Sequence, residues 1–406
     1  MDFDVATARS RFPALAEGLV HLDGPGGTQV PDSVADAVAT AMRSAVSNRH
    51  GYFASSERAD SLVGQARSAV ADLLGASPDG VILGPSMTTV TFGLSRALRR
   101  TWAPGDDIVV SRLDHDANIR PWVIAAREAE VEVRWAEVDG ETGELDAEQY
   151  VDLVGPRTRL VAVTAASNAL GTMPDIARIA AIAHEAGALV HVDGVHATPH
   201  LPVDMQAVGA DFWACSSYKF FGPHLGMTAA DPALLAELHP DKLVPSSDDV
   251  PDRFETGTSQ LELLAGLTAS VDYLASLSRG PGTRRARLVD AMTTIASYEA
   301  ELMRLLLDGL EAAPAVSLVG RPRRRTPTVA LTLAGSSPDE VAKSLGADGI
   351  CVWSGDYYAR ELMQALGLAA SGGAVRVGLV HYNTADEVRR LLGALAALSG
   401  GRMVST

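Results

Sequence analysis

Between about residue 60 and residue 260, short apolar runs rich in β-branched side chains alternate with longer amphipathic ones, and this alternation constrains the fold more than any other feature. A βαβα succession calls for a mainly parallel sheet, because parallel neighbours need a long crossover and the crossover helices cover both faces. GVILG (80–84), DIVVS (107–111), EVRWAEV (132–138), RLVAVTAAS (159–167), ALVHVDG (188–194) and DFWACSS (211–217) read as strands. Most of them end in small or polar residues, and open α/β sheets take ligands beyond the carboxyl ends of their strands. Ser86, Asn168, Asp193 and Lys219 therefore fall on one rim.

After FETGTSQLE (254–262) the pattern changes. Leu288, Met292, Ile295, Tyr298, Leu302 and Leu305 recur at helical spacing in one long segment. Beyond it, VSLVG, TVALTLAG, SPDEVAKSLGA, GICVWSG and AVRVGLVHYN make a small α+β lobe, which the amino-terminal segment is expected to complete. A chain of 406 residues favours two lobes on size alone.

Charge narrows the partners. With 34 Lys and Arg against 50 Asp and Glu, a net charge of −16 opposes phosphate backbones and anionic lipid, so neither nucleic acid nor a membrane is expected. A small molecule is the expected ligand. The start, MDFDVATARSRFPALAEG, has no basic segment followed by an apolar one, and no apolar run is long enough to span a bilayer. A cytoplasmic location is expected. Cys215 and Cys351 are the only cysteines, too few for a disulfide framework or a four-thiolate zinc site. The basic run GRPRRRTP (320–327) reads as a solvated loop.

Lys219 stands just beyond an otherwise small and apolar strand. Burying an ammonium there is costly unless it can give up its proton, and the neutral amine is then a nucleophile toward aldehydes. Schiff-base chemistry on pyridoxal phosphate needs such a lysine, a carboxylate for the pyridine nitrogen, and hydroxyl or backbone N–H groups for the phosphate. Asp193 at the end of an apolar strand, Ser216 three residues before the lysine, and GPSMTT (84–89), containing Ser86 and Met87 at the opening of a helix, offer all three. From these residues alone, a surface lysine after a strand remains the competing reading. His191, Asp193 and His196 in HVDGVH contain zinc-type ligands, but nothing elsewhere completes a site, and no metal is expected.

The stretch HVDGVHATPHLPVDMQAVGADFWACSSYKFFGP (191–223) resembles the central signature of the class V aminotransferases, a family of fold type I enzymes dependent on pyridoxal phosphate. The resemblance runs from VHLDGPGGTQVPDSV (20–34) to AVRVGLVHYNTADEV (374–388). It implies a large domain over 20–262 with a mainly parallel seven-stranded sheet, and a small α+β domain formed by 1–19 with 280–406. It also implies roles. Lys219 would bind the cofactor aldehyde and shuttle protons at the substrate Cα, Asp193 would pair with the pyridinium, and His115 would stack on the ring and help with proton transfer. Asn168 would bond the phenolic oxygen, with His196 beside it and Tyr218 as a further donor to the cofactor. Ser86, Met87 and Ser216 would surround the phosphate, joined by Thr258 from a neighbouring subunit, so that a homodimer shares its active sites. Arg376 would take the α-carboxylate of an amino acid substrate.

The departures from the family pattern bear on the reaction. In the resembling cysteine desulfurases a nucleophilic cysteine occupies the loop that here reads WSGDYYA, and Tyr358 stands in its place. Cys215 and Cys351 read as small buried hydrophobes, whereas a persulfide relay needs an accessible thiolate. Trp353, Tyr357 and Tyr358 would either form an aromatic wall suited to an apolar or planar substrate side chain or only pack the interface between the lobes. The expected activity is β-elimination from a cysteine S-conjugate. Transamination, decarboxylation or oxidative deamination, and epimerisation share its first steps, and a non-catalytic protein on the same fold is the remaining alternative.

Overall fold

The computed structural model describes residues 3 to 400. After a short strand β1 (Val20–His21), the large lobe contributes β2 (Val81–Gly84), β3 (Asp107–Ser111), β4 (Glu132–Ala136), β5 (Thr158–Thr164), β6 (Leu189–Asp193), β7 (Phe212–Ser216) and β8 (Gly226–Ala230). These seven make one sheet in the order β2-β8-β7-β6-β5-β3-β4. Only β8 runs against its neighbours.

Alternation of side chains explains the layering. Val109, Val161, Val163, Val190 and Val192 enter one core, while Ile108, Val110, Leu160, Ala162 and Phe212 enter the other. Both faces are dry, which is why these strands read as continuous apolar runs. β8 escaped recognition because Gly-Met-Thr-Ala-Ala lacks a β-branched apolar run; it is a strand because it pairs with β2 and β7 on both sides.

The small lobe has a four-stranded antiparallel sheet formed by β9 (Val316–Val319), β10 (Thr328–Leu333), β12 (Trp353–Gly355) and β13 (Ala374–Gly378), in the order β12-β13-β10-β9. β11 (Ile350–Cys351) pairs in parallel with β1. The long helix Arg284–Glu311, capped by the Thr283 side chain, buries Leu288, Met292, Ile295 and Leu302, with Tyr298 and Leu305 partly buried. The amino-terminal segment straddles the lobes. Phe12 packs edge-on against Phe221 and Tyr273, beside the large-lobe core, whereas Val20 and Leu22, expected at the start of the large lobe, join the small-lobe core because β11 offers them an apolar edge. Among the described residues no helix is long and apolar enough to cross a membrane.

Candidate active site

A cavity of about 730 Å3 lies where the carboxyl ends of β5, β6 and β7 meet β12 and β13. Lys219 reaches it from the single 3-10 turn Ser217–Lys219 that follows β7, its Nζ donating to the Pro25 carbonyl. Burial, reinforced by the Arg376 guanidinium, draws the Lys219 amine down from 10.5 to about 7. A substantial neutral fraction is thus present near neutral pH, as a nucleophilic lysine requires.

Asp193 ends β6 and is buried, with Oδ1 accepting from the Val195 N–H at 2.9 Å. Burial raises its pKa to about 6. A cationic N–H donor placed against this carboxyl would restore the anion. Behind it, Asn118 Oδ1 accepts from Trp122 Nε1 at 3.1 Å and pairs with His191 Nδ1 at 2.8 Å, while Asn118 Nδ2 donates to Asp114 at 2.7 Å. The indole N–H can only donate, so Asn118 Oδ1 is the acceptor and His191 carries its proton on Nδ1. His191 is a structural residue.

His115 borders the cavity and its Nδ1 accepts from the Ala117 N–H at 3.0 Å, which leaves the ring proton on Nε2. Burial and Lys219 hold the imidazole neutral, with a pKa of about 4. Its ring stacks on Tyr358 at 5.5 Å. His196, also at the cavity, pairs through Nε2 with Thr328 Oγ1 at 3.0 Å, and burial keeps it neutral. His200 bonds Glu299 at 2.8 Å, and His224 stacks on Tyr218 at 4.7 Å. Tyr218 itself lines the cavity, its ring 4.9 Å from Lys219 Nζ.

Asn168 donates from Nδ2 to the Tyr357 carbonyl at 2.9 Å, while its Oδ1 is buried without a partner. Arg376, on β13, is 5% exposed; one Nη donates to the Asn168 carbonyl at 3.0 Å, and Nε is buried without a partner. Burial lowers the Arg376 pKa to about 10. A desolvated guanidinium with a vacant donor favours a carboxylate.

The helix Met87–Leu98 follows β2 after two intervening residues and presents Met87 and Thr88 to the cavity, which Ser216 also lines. The Ser86 hydroxyl caps this helix by accepting from the Thr89 N–H at 3.1 Å, and Ser86 is not among the cavity-lining residues. Gly226 fits this turn because a Cβ there would lie 1.8 Å from the Met87 nitrogen. Thr258 is exposed and lines a separate surface cavity with Gly84, Pro85 and Thr89, so it does not reach Lys219 of its own chain.

Trp353 and Tyr358 stand at the cavity, 54% and 73% exposed. The structure adds Thr88, Phe92, Asp116 and Arg120 to the lining. Thr88 and Phe92 are four apart on one helix and share a face, a signal present in the sequence once Met87 is placed at the site. Cys215 is fully buried in β7 and Cys351, in β11, is only half-buried; burial raises both thiols, and neither borders the cavity. Among the described residues no group of three His, Cys, Asp or Glu side chains could hold a metal ion.

The neutralised lysine, the buried carboxyl awaiting a cationic partner, the unpartnered Asn168 and Arg376 atoms and the helix amino terminus fit pyridoxal phosphate with an amino acid. Fold and site define a pyridoxal phosphate-dependent enzyme of fold type I. The aminotransferase class V model matches residues 20–391, and the chain belongs to that family. An uncharacterized protein of Mycobacterium tuberculosis is 38% identical over 400 residues, covering 98% of this chain and all of that one. A probable cysteine desulfurase of Pseudomonas aeruginosa is 33% identical over 405 residues, covering 95% and 96%. The apo structure of a cysteine desulfurase from Thermococcus onnurineus superposes with a TM-score of 0.89 at 25% identity, covering 99% of each chain.

Proposed function

We propose that the protein is a β-eliminating C–S lyase acting on a cysteine S-conjugate. The observation that carries this reading is the cavity mouth, where Tyr358 and Trp353 stand and no cysteine does. A sulfur relay needs an accessible thiolate on a loop, whereas expulsion of a thiol into solution needs none.

In this reading Lys219 holds the cofactor aldehyde and Asp193 its ring nitrogen. Asn168 and His196 would serve the ring oxygen; Met87, Thr88, Ser216 and Tyr218 would surround the phosphate, and Thr258 of a second copy would complete a homodimeric site. When bound, the cofactor supplies an electron sink that acidifies the substrate Cα–H bond. Arg376 fixes the α-carboxylate, and the Trp353 and Tyr358 rings face the S-substituent. With the substrate amine in its place at the aldehyde, the freed Lys219 amine would take the Cα proton, with neutral His115 assisting; the electron pair would form the Cα–Cβ double bond as Cβ–S breaks, and the proton would go to sulfur. Water hydrolyses the released enamine, so that substrate plus water gives thiol, pyruvate and ammonia.

The test is product stoichiometry with an S-aryl cysteine and no added keto acid. Equal amounts of thiol, pyruvate and ammonia over many turnovers are expected. One equivalent of keto acid without thiol, renewed only by a second keto acid, would establish a transaminase instead. Alanine and protein-bound sulfur from free cysteine would establish a desulfurase.

The lysine also sets a pH dependence. Only its neutral amine attacks an aldehyde, so the rate at which the apoprotein takes up pyridoxal phosphate should climb as pH rises through about 7 and level off above it. Stopped-flow absorbance measures this directly, and a rate still climbing toward pH 10 would contradict a depressed amine.

A further inference from the structure

The turn between β12 and the helix Arg360–Ala365 carries two consecutive non-glycine residues in the left-handed region, Tyr357 at φ 56° and Tyr358 at φ 58°. Each is costly for a bulky side chain and persists only where surroundings impose it. Here the surroundings are the site itself. The Asp116 N–H donates to the Tyr358 carbonyl at 2.8 Å, the Tyr358 N–H donates to Asp356 at 3.0 Å, and Asn168 Nδ2 donates to the Tyr357 carbonyl at 2.9 Å.

The strained backbone aims the Tyr357 ring under Arg376. The guanidinium carbon lies 4.4 Å from the ring centroid, and the phenol donates to the Ala374 carbonyl on the same strand as Arg376. Arg376 in turn donates to the Asn168 carbonyl, which closes a ring of three residues around the guanidinium. The Asp23 carboxylate acts on Arg376 through space without an ion-pair contact, and the Tyr357 face is the electron-rich group directly under the guanidinium. The vacant Nε–H keeps its direction only if the guanidinium plane is held.

We propose that Tyr357 is a positioning residue that orients the Arg376 guanidinium for the substrate α-carboxylate, and that the left-handed Tyr357–Tyr358 turn exists to place it there. The proposal rests on the assignment of the carboxylate to Arg376. A ring beneath the guanidinium offsets part of the cost of burying the cation without using any of its N–H donors.

The experiment compares binding of L-alanine and ethylamine, the same amine without a carboxylate, to the cofactor-loaded protein by titrating the cofactor absorbance. The wild type should bind alanine more tightly, and Arg376→Leu should abolish that preference; a preference that survives refutes the carboxylate assignment and the proposal with it. Tyr357→Leu should shrink the preference by between about 2- and 30-fold, the span of cation–π contacts from exposed to desolvated, with ethylamine binding unchanged. Tyr357→Phe keeps the ring and should keep the preference. A wild-type ratio in Tyr357→Leu overturns the positioning role while leaving Arg376 in place. Equal weakening of both ligands also overturns it, because a merely structural ring would act on both. Should the leucine variant not fold, Tyr357→Gly removes the ring while relieving the left-handed backbone and carries the same comparison.

Discussion

Lys219→Ala should lower thiol and pyruvate release from an S-conjugate by at least about 10³-fold, because in the proposed reaction one side chain would supply both the nucleophile for the cofactor and the base for the Cα proton. The fold should survive. Lys219 makes one polar contact, to the Pro25 carbonyl, and its burial as a neutral amine contributes little that alanine would forfeit. Equilibrium dialysis should still find pyridoxal phosphate bound, held through the groups around its ring and phosphate. Retention of more than a few per cent of the wild-type rate would remove Lys219 from the reaction.

Asp193→Asn should cost about 10²- to 10³-fold in turnover, the loss expected when a buried charge pair loses its anion. It has a second, opposite consequence. In the apoprotein Asp193 has its pKa raised from 3.8 to about 6 by burial, so the folded state binds a proton that the unfolded state has released. Below about pH 4 both states are protonated and the shift has no effect. As pH rises from about 4 to about 6 the folded apoprotein loses stability, by about 3 kcal/mol in all, and the loss persists above. Asparagine cannot ionise, so the Asp193→Asn apoprotein should be more stable than the wild type at pH 8 by about that amount, and equal to it near pH 4. Denaturant unfolding of the apoproteins at both pH values measures this. A variant less stable than the wild type at pH 8 would show that Asp193 already has a charged partner in the apoprotein.

The two substitutions separate the functions of the rim. In the proposed reaction Lys219 would act on bonds that break, and Asp193 on the charge that lets them break. Both sit at carboxyl ends of neighbouring parallel strands, β7 and β6, whose register pairs Asp193 with Ala214. That register, with the short 3-10 turn after β7, brings together residues 26 positions apart.

Much of this was legible in the chain. Strand runs, their order along the sequence and their polar ends are local properties, so the α/β class and the rim positions of Lys219, Asp193 and Asn168 could be read from the residues themselves. The aromatic wall could also be read, since Trp353, Tyr357 and Tyr358 lie within six residues of one another. What could not be read depends on pairs far apart in sequence. Asn168 meets Arg376 across 208 positions and Tyr357 across 189, and Lys219 meets the Pro25 carbonyl across 194. Ser86 offers a hydroxyl in the sequence, but the folded chain spends it on capping its own helix, while Thr88, two residues on, lines the cavity instead.

The sequence by itself determined most of the strands, which residues crown them, and that both cysteines lie outside the WSGDYYA loop. Only the tertiary structure decided what those residues are chemically. The neutral fraction of Lys219, the protonated tendency of Asp193 and the vacant Nε of Arg376 arise from burial and from neighbours that distant segments bring in. Desolvation acts through the space around a group, and no local pattern of residues encodes that space.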